Sequence, residues 1–79
     1  MNSTFERVRG VVVEVMNIVP ERVCPETDIA SELGPDSLEQ VEIVMGLETE
    51  FNLDLGEDQS AFGTVNDVVS RIDKQLEYH

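Results

Sequence analysis

A chain of 79 residues makes one domain, residues 1–79, and at this length folding buries only about 60% of the unfolded surface. Its 41% hydrophobic content supports a modest core and argues against disorder, while no apolar run approaches the roughly 18 residues of a membrane span. Seventeen acids against five bases give a net charge of -12, which repels nucleic acid and anionic membranes and points to a basic protein partner.

The distribution of charge says more than the total. Between Arg22 and Arg71 lie 12 acids and not one Lys or Arg. The five acids outside that interval balance the five bases, so the whole net charge sits mid-chain. MNSTFERVRG has no cationic segment leading into an apolar stretch, so it does not read as a secretory signal, and a cytoplasmic location is expected. The single Cys24 and the single His79 are too few for a zinc site of the usual ligands.

The first helix opens at Ser3, with Glu6 at the capping-box distance. Phe5, Val8, Val12, Val15, Met16 and Val19 then share one face at helical spacing, and Pro20 is expected to end it. Residues 20–36, PERVCPETDIASELGPD, form a long connection in which Pro, Gly and Ser/Thr/Asp disfavour helix across most positions. Val23, Ile29 and Leu33 are its expected anchors to the core. Cys24 is expected to be a packed, inert thiol.

A second helix runs from Ser37 to Phe51. On a wheel at about 100° per residue, Leu38, Val41, Ile43, Val44, Met45, Leu47 and Phe51 cover well over half the circumference. Such a helix must touch several elements, so it reads as the central one. Glu39, Glu42, Gly46, Thr49 and Glu50 make its exposed acidic stripe. No Lys or Arg lies on the helix to relieve the repulsion by i,i+4 pairing, which tilts the stripe toward cationic partners. A short helix over Asp58–Phe62 follows. The last helix opens at Thr64, with Asp67 as capping partner, and carries a stripe of Val65, Val68, Val69, Ile72 and Leu76. The fold class is therefore all-α: a small four-helix bundle, three main helices and one short one, with a long loop between the first and second.

The start of the second helix holds two capping residues in succession. Asp36 at the N-cap would pair with Glu39 at N3, leaving the Ser37 hydroxyl in solvent beside free helix N–H groups that favour a phosphate. Equally, Ser37 itself could cap, with Gln40 as its partner. Local capping does not choose between them. No base stands near Ser37, and the one histidine is the last residue, so Ser37 is not the nucleophile of a self-sufficient enzyme. DLGED at 54–58 lacks the ligand spacing of a calcium loop, and no metal site is expected.

LGPDSLEQVEIVMGLETEF resembles the second helix of acyl carrier proteins, whose signature is a Gly, one variable residue and Asp-Ser-Leu, then an acidic amphipathic helix ending in Glu-Phe. The valine-rich first helix, the long loop and a last helix begun by Thr-Val extend the resemblance over nearly the whole chain. It implies a non-enzymatic carrier. A phosphopantetheinyl transferase places 4′-phosphopantetheine on Ser37, Asp36 caps beside it, and the arm carries acyl groups as thioesters. It further implies docking of Asp36, Leu38, Glu39, Glu42, Met45, Glu48 and Glu50 on basic patches of acyltransferases, ketosynthases and other acyl-processing enzymes. It also implies an acyl chain that slips between helices against Ile29, Val41, Leu47, Phe51 and Ile72. The carrier is expected to be a monomer without nucleic-acid or membrane partners.

Gly56 followed by EDQSAFG replaces the Pro and acidic run of housekeeping fatty-acid carriers, and Pro35 and Gly46 stand where alanine-like residues are frequent. These departures leave the tethering chemistry intact and bear on the pathway: fatty-acid synthesis, or a dedicated polyketide or lipid-modification route. Peptidyl carriers share the bundle but typically differ at the residue before the serine, so Asp36 favours the acyl branch. The alternative of a different class is a noncovalent acidic adaptor or inhibitor, for which the stripe is everything and Ser37 only a cap.

Overall fold

The computed structural model describes residues 3–55 and 63–77. Three main helices carry the fold: α1 (Thr4–Met16), α2 (Ser37–Phe51) and α3 (Val65–Glu77). No strand occurs among the described residues, so the architecture is the expected all-α bundle. The short helix expected over Asp58–Phe62 lies outside the described residues. No described helix is long and apolar enough to cross a membrane.

Each helix start follows from its capping residues. Ser3 Oγ accepts from the Glu6 N–H at 3.2 Å. At α3, Thr64 Oγ1 accepts from the Asp67 N–H at 3.2 Å while Asp67 Oδ2 accepts from the Thr64 N–H at 3.0 Å, a complete capping box. Helix ends are set differently from expectation. α1 stops at Asn17, left-handed at φ 56°, three residues before Pro20. Asn tolerates that conformation, and its N–H turns back to the Val13 carbonyl. Val19 therefore lies beyond the helix and is 56% exposed rather than on the core face. Asn52, at φ 53°, closes α2 in the same way.

The core joins Val8 and Val12 of α1, Ile43, Leu47 and Phe51 of α2, and Val65, Val68 and Ile72 of α3. Each such side chain, fully buried, contributes about 1.5–3 kcal/mol by removal from water. Val23 and Ile29 reach in from the connection, with Leu33 packed at the margin. Val69 is half-buried against this cluster and Leu76, at the end of its stripe, is 38% exposed. Met16 is likewise half-buried against the core.

By backbone approach α1 stands between the other two helices, while α2, with four buried side chains, meets several elements through the core as expected. The backbone of α1 lies close to those of both α2 and α3, whereas among the described residues α2 and α3 have no comparable approach. Side-chain size explains this. α1 presents valines, and at Gly46 of α2 an added Cβ would sit 2.8 Å from Val11 Cγ1, so the two helices meet where one has no side chain. Gly46 is thus the packing position within its stripe, half-buried where Val11 approaches. Ile43, Leu47 and Phe51 of α2 and Ile72 of α3 belong to the same buried cluster.

The connection is more ordered than its composition suggests. A 3₁₀ turn spans Pro20–Arg22 and a wide π-type turn spans Ile29–Leu33. Val23 turns inward and the adjacent Cys24 outward, so the thiol is exposed rather than packed. Buried Thr27 holds this segment together: its hydroxyl accepts from the Cys24 N–H at 2.9 Å and donates to the Arg22 carbonyl at 3.3 Å. The backbone then fastens onto α3. Val65 N–H donates to the Thr27 carbonyl (2.8 Å), Asn66 N–H to the Pro25 carbonyl (2.9 Å), and Ile29 N–H to the Gly63 carbonyl (3.1 Å). The first two satisfy first-turn donors of α3 that a helix cannot satisfy itself, and the third ties the connection to the residue preceding Thr64.

Candidate functional site

The site is built where the connection enters α2. Asp28 Oδ1 accepts from the Ser31 N–H and Glu32 Oε2 from the Asp28 N–H, opening the wide turn that Gly34 closes. Gly34 adopts φ 60° and donates its N–H to the Ile29 carbonyl at 3.1 Å. No heavy atom lies within 4 Å of a Cβ built there, so glycine is required by the left-handed backbone alone. Pro35 is buried, and its carbonyl accepts from Gln40 Nε2 at 3.2 Å.

Asp36 is the N-cap. Its Oδ1 accepts from the Glu39 N–H at 2.8 Å, and Glu39 Oε1 accepts from the Asp36 N–H at 3.0 Å. Both halves of the capping box are present. Gln40, the partner Ser37 would need as a cap, spends its side chain on Pro35. Ser37 is therefore the first helical residue, exposed, and among the described residues its hydroxyl has no hydrogen-bond partner. The backbone N–H groups of Ser37 and Leu38 are likewise unclaimed within the described structure. A hydroxyl in open solvent that can accept a phosphoryl group, beside two free N–H groups at the positive end of a helix, fits attachment of a phosphate diester.

The acidic residues of α2 divide into engaged and free. Asp36 and Glu39 form the cap. Glu48 Oε2 accepts from the Leu55 N–H at 2.9 Å, past the end of the helix. Glu50 is held by α1: Arg7 Nε donates to its Oε2 at 2.8 Å and Arg7 Nη2 to its carbonyl at 2.6 Å. The same guanidinium lies 4.3 Å from the Phe51 ring centre. The absence of basic residues on α2 thus does not leave the whole stripe uncompensated, since Arg7 crosses from the neighbouring helix. Reading charges along the chain missed this contact, and only the packing of α1 on α2 reveals it. Glu42 remains exposed and without a partner among the described residues. Leu38 and Met45, 66% and 60% exposed, stand two turns apart on the outer face with Glu42 between them.

Ile29, Leu47, Phe51 and Ile72 are brought together in the core cluster. Val41 is half-buried and not part of it. Among the described residues the ionisable groups beside Ser37 are the Asp36 and Glu39 carboxylates, both engaged in the cap.

Comparison with known proteins agrees with this geometry. The family model described as a phosphopantetheine attachment site matches residues 6–72. The chain is 39% identical over 75 residues to a protein of Zymomonas mobilis subsp. mobilis named "Acyl carrier protein", covering 94% of this chain and 96% of that one. It is 41% identical over 72 residues to a protein of the same name from Wolinella succinogenes, covering 90% and 95%. Matched over most of its length by the family model and by relatives of its own size, the chain belongs to the acyl carrier protein family.

Proposed function

We propose that Ser37 is the residue bearing the 4′-phosphopantetheine of this carrier, and that Asp36 makes this possible by capping α2 in its place. The observation that carries the reading is the division of labour between adjacent residues. Asp36 exchanges two hydrogen bonds with Glu39, and Ser37 is exposed with its hydroxyl unspent. The chain is a carrier rather than a catalyst, so the transferase and the acyl-processing enzymes provide the reactive groups. When bound, the prosthetic group supplies a thiol on which an acyl chain is held as a thioester. What Ser37 contributes is a fixed anchor on a rigid helix end, and the free N–H groups of Ser37 and Leu38 stabilise the adjoining phosphate.

For docking, the outer face of α2 offers Leu38 and Met45 as apolar contacts around Glu42. Asp36, Glu39, Glu48 and Glu50 add to the negative field that steers basic partners, although their carboxylates are already engaged. For the acyl chain, the sector between α2 and α3 is favoured, because among the described residues their backbones approach each other less closely than either approaches α1, and side chains of both belong to the one buried cluster. Leu47, Phe51 and Ile72, with Ile29 from the connection, form its wall, and Val41 lies at its margin. An adaptor acting without a covalent arm would keep binding its partners after Ser37→Ala. A carrier with Ser37 as its anchor would lose all acyl loading.

The test is intact mass after incubation with coenzyme A, Mg²⁺ and a broad-specificity phosphopantetheinyl transferase. Wild type is expected to gain one phosphopantetheinyl unit and Ser37→Ala none, with both variants folded by circular dichroism. A gain by Ser37→Ala would move the anchor elsewhere.

A further inference from the structure

A groove open to solvent lies beside the outer face of α2, between α1 and α2. Its apolar floor is Val11 and Val15 of α1, with Gly46 and Met45 of α2. Its margins are acidic on both sides: Glu14 rises from α1 and Glu42 from α2. Gly46 shapes it. Because Gly46 has no side chain, Val11 comes down onto α2, and the seam becomes a shallow trough of about 640 Å³ open to solvent.

Charge decides what such a trough can take. Glu50 at its end is neutralised by Arg7, but Glu14 and Glu42 have no hydrogen-bond or ion-pair partner among the described residues. An apolar floor between two unpaired carboxylates complements a segment with apolar side chains on one face and cations on both flanks. That is the pattern of a basic amphipathic helix laid into a groove. An anionic or uncharged segment would leave the carboxylates facing an apolar surface. Met45 belongs to this trough and to the outer face of α2, so one partner can bridge both.

We infer that the α1–α2 groove is a docking site for a cationic amphipathic helix of a partner protein, with Glu14 as the α1 contact. The site does not involve Ser37 and extends the interaction surface from α2 onto α1.

The probe is an acetylated, amidated Leu/Lys amphipathic helical peptide, with a Leu/Glu counterpart as charge control. It is titrated into the isotope-labelled full chain and, in parallel, into Ser37→Ala. Saturable amide shifts at Val11, Val15 and Gly46 are expected with the Leu/Lys peptide only, and identical in both proteins. Glu14→Gln should weaken binding about two- to fivefold, the scale of one partly exposed ion pair. Glu26→Gln, a change at an exposed acid outside the groove, should leave it unaltered. Shifts confined to Leu38 and the outer face of α2 would overturn the inference. So would equal weakening by the two variants, or equal binding of the Leu/Glu peptide. Because Ser37→Ala is carried alongside, failure here is separable from failure of the anchor assignment.

Discussion

Asp36→Ala and Ser37→Ala change neighbouring residues at one helix start and should have very unequal consequences for stability. Asp36→Ala removes the acceptor of the Glu39 N–H, a bond of 2.8 Å. The site is exposed, so water replaces part of what is lost, and the penalty falls at about 1 kcal/mol within the usual range for cap removal. Loss of a carboxylate at the positive helix end adds a few tenths, offset by relief of repulsion in a chain of net charge -12. Ser37→Ala removes no hydrogen bond and improves helix propensity, so its effect should be within about 0.3 kcal/mol of zero. In Asp36→Ala the first residue can unwind and let Ser37 cap with Gln40. The double variant closes that retreat and should cost about 0.5 kcal/mol more than the sum of the singles. Urea unfolding followed by far-UV circular dichroism reads these differences. With a slope of about 1 kcal/mol per molar for so small a domain, Asp36→Ala should move the midpoint down by about 1 M. A Ser37→Ala penalty of about 1 kcal/mol, with Asp36→Ala near zero, would refute the division of labour.

Arg7→Ala deletes an exposed ion pair, a bond to the Glu50 carbonyl and a cation–π contact. The combined loss should be about 1–2 kcal/mol, or a melting shift of about 4–16 °C, with only its ionic part diminishing in high salt. Thermal unfolding at two salt concentrations checks it. Gly34→Ala should cost about 1–2 kcal/mol because its backbone is left-handed, although the site has room for a methyl group. Gly34→Asn should cost less, and equal penalties in chemical denaturation would show that something other than backbone conformation is at stake.

What the sequence disclosed and what it withheld divide along physical lines. Helix starts were legible because capping is local: Ser3 with Glu6, Asp36 with Glu39 and Thr64 with Asp67 lie within a turn of each other. The end of α1 was misplaced because Pro20 is a louder signal than Asn17, although the left-handed asparagine acts first. Gly46 was grouped with polar residues by its place on the wheel, whereas its missing side chain makes it the contact point with Val11. The wide hydrophobic arc of α2 correctly marks a helix that meets several elements through its side chains, whereas the close backbone approach of α1 to both neighbours is not contained in any arc. The Arg7–Glu50 pair required knowing how two helices lie together, which no spacing along one of them contains. The proposed anchor, Ser37 beside its cap, is legible as a choice between two caps, and the occupied Asp36–Glu39 box decides which residue caps.

The hydrogen bonds joining residues 25–29 to residues 63–66 have a mechanical consequence. They weld the connection and α3 into one body. Among the described residues no backbone hydrogen bond links α2 to that body or to α1. α2 is held by side chains only: the apolar core, the Val11–Gly46 seam and the Arg7–Glu50 bolt. α1 is held in the same way, so the planes without backbone bonds run alongside α2 and between α1 and α3. A molecule that must make internal room can do so by letting α2 swing out while the welded half keeps its shape. Ser37 stands at the tip of α2, so on the carrier reading proposed above any yielding along the plane beside α2 would be felt at the anchor.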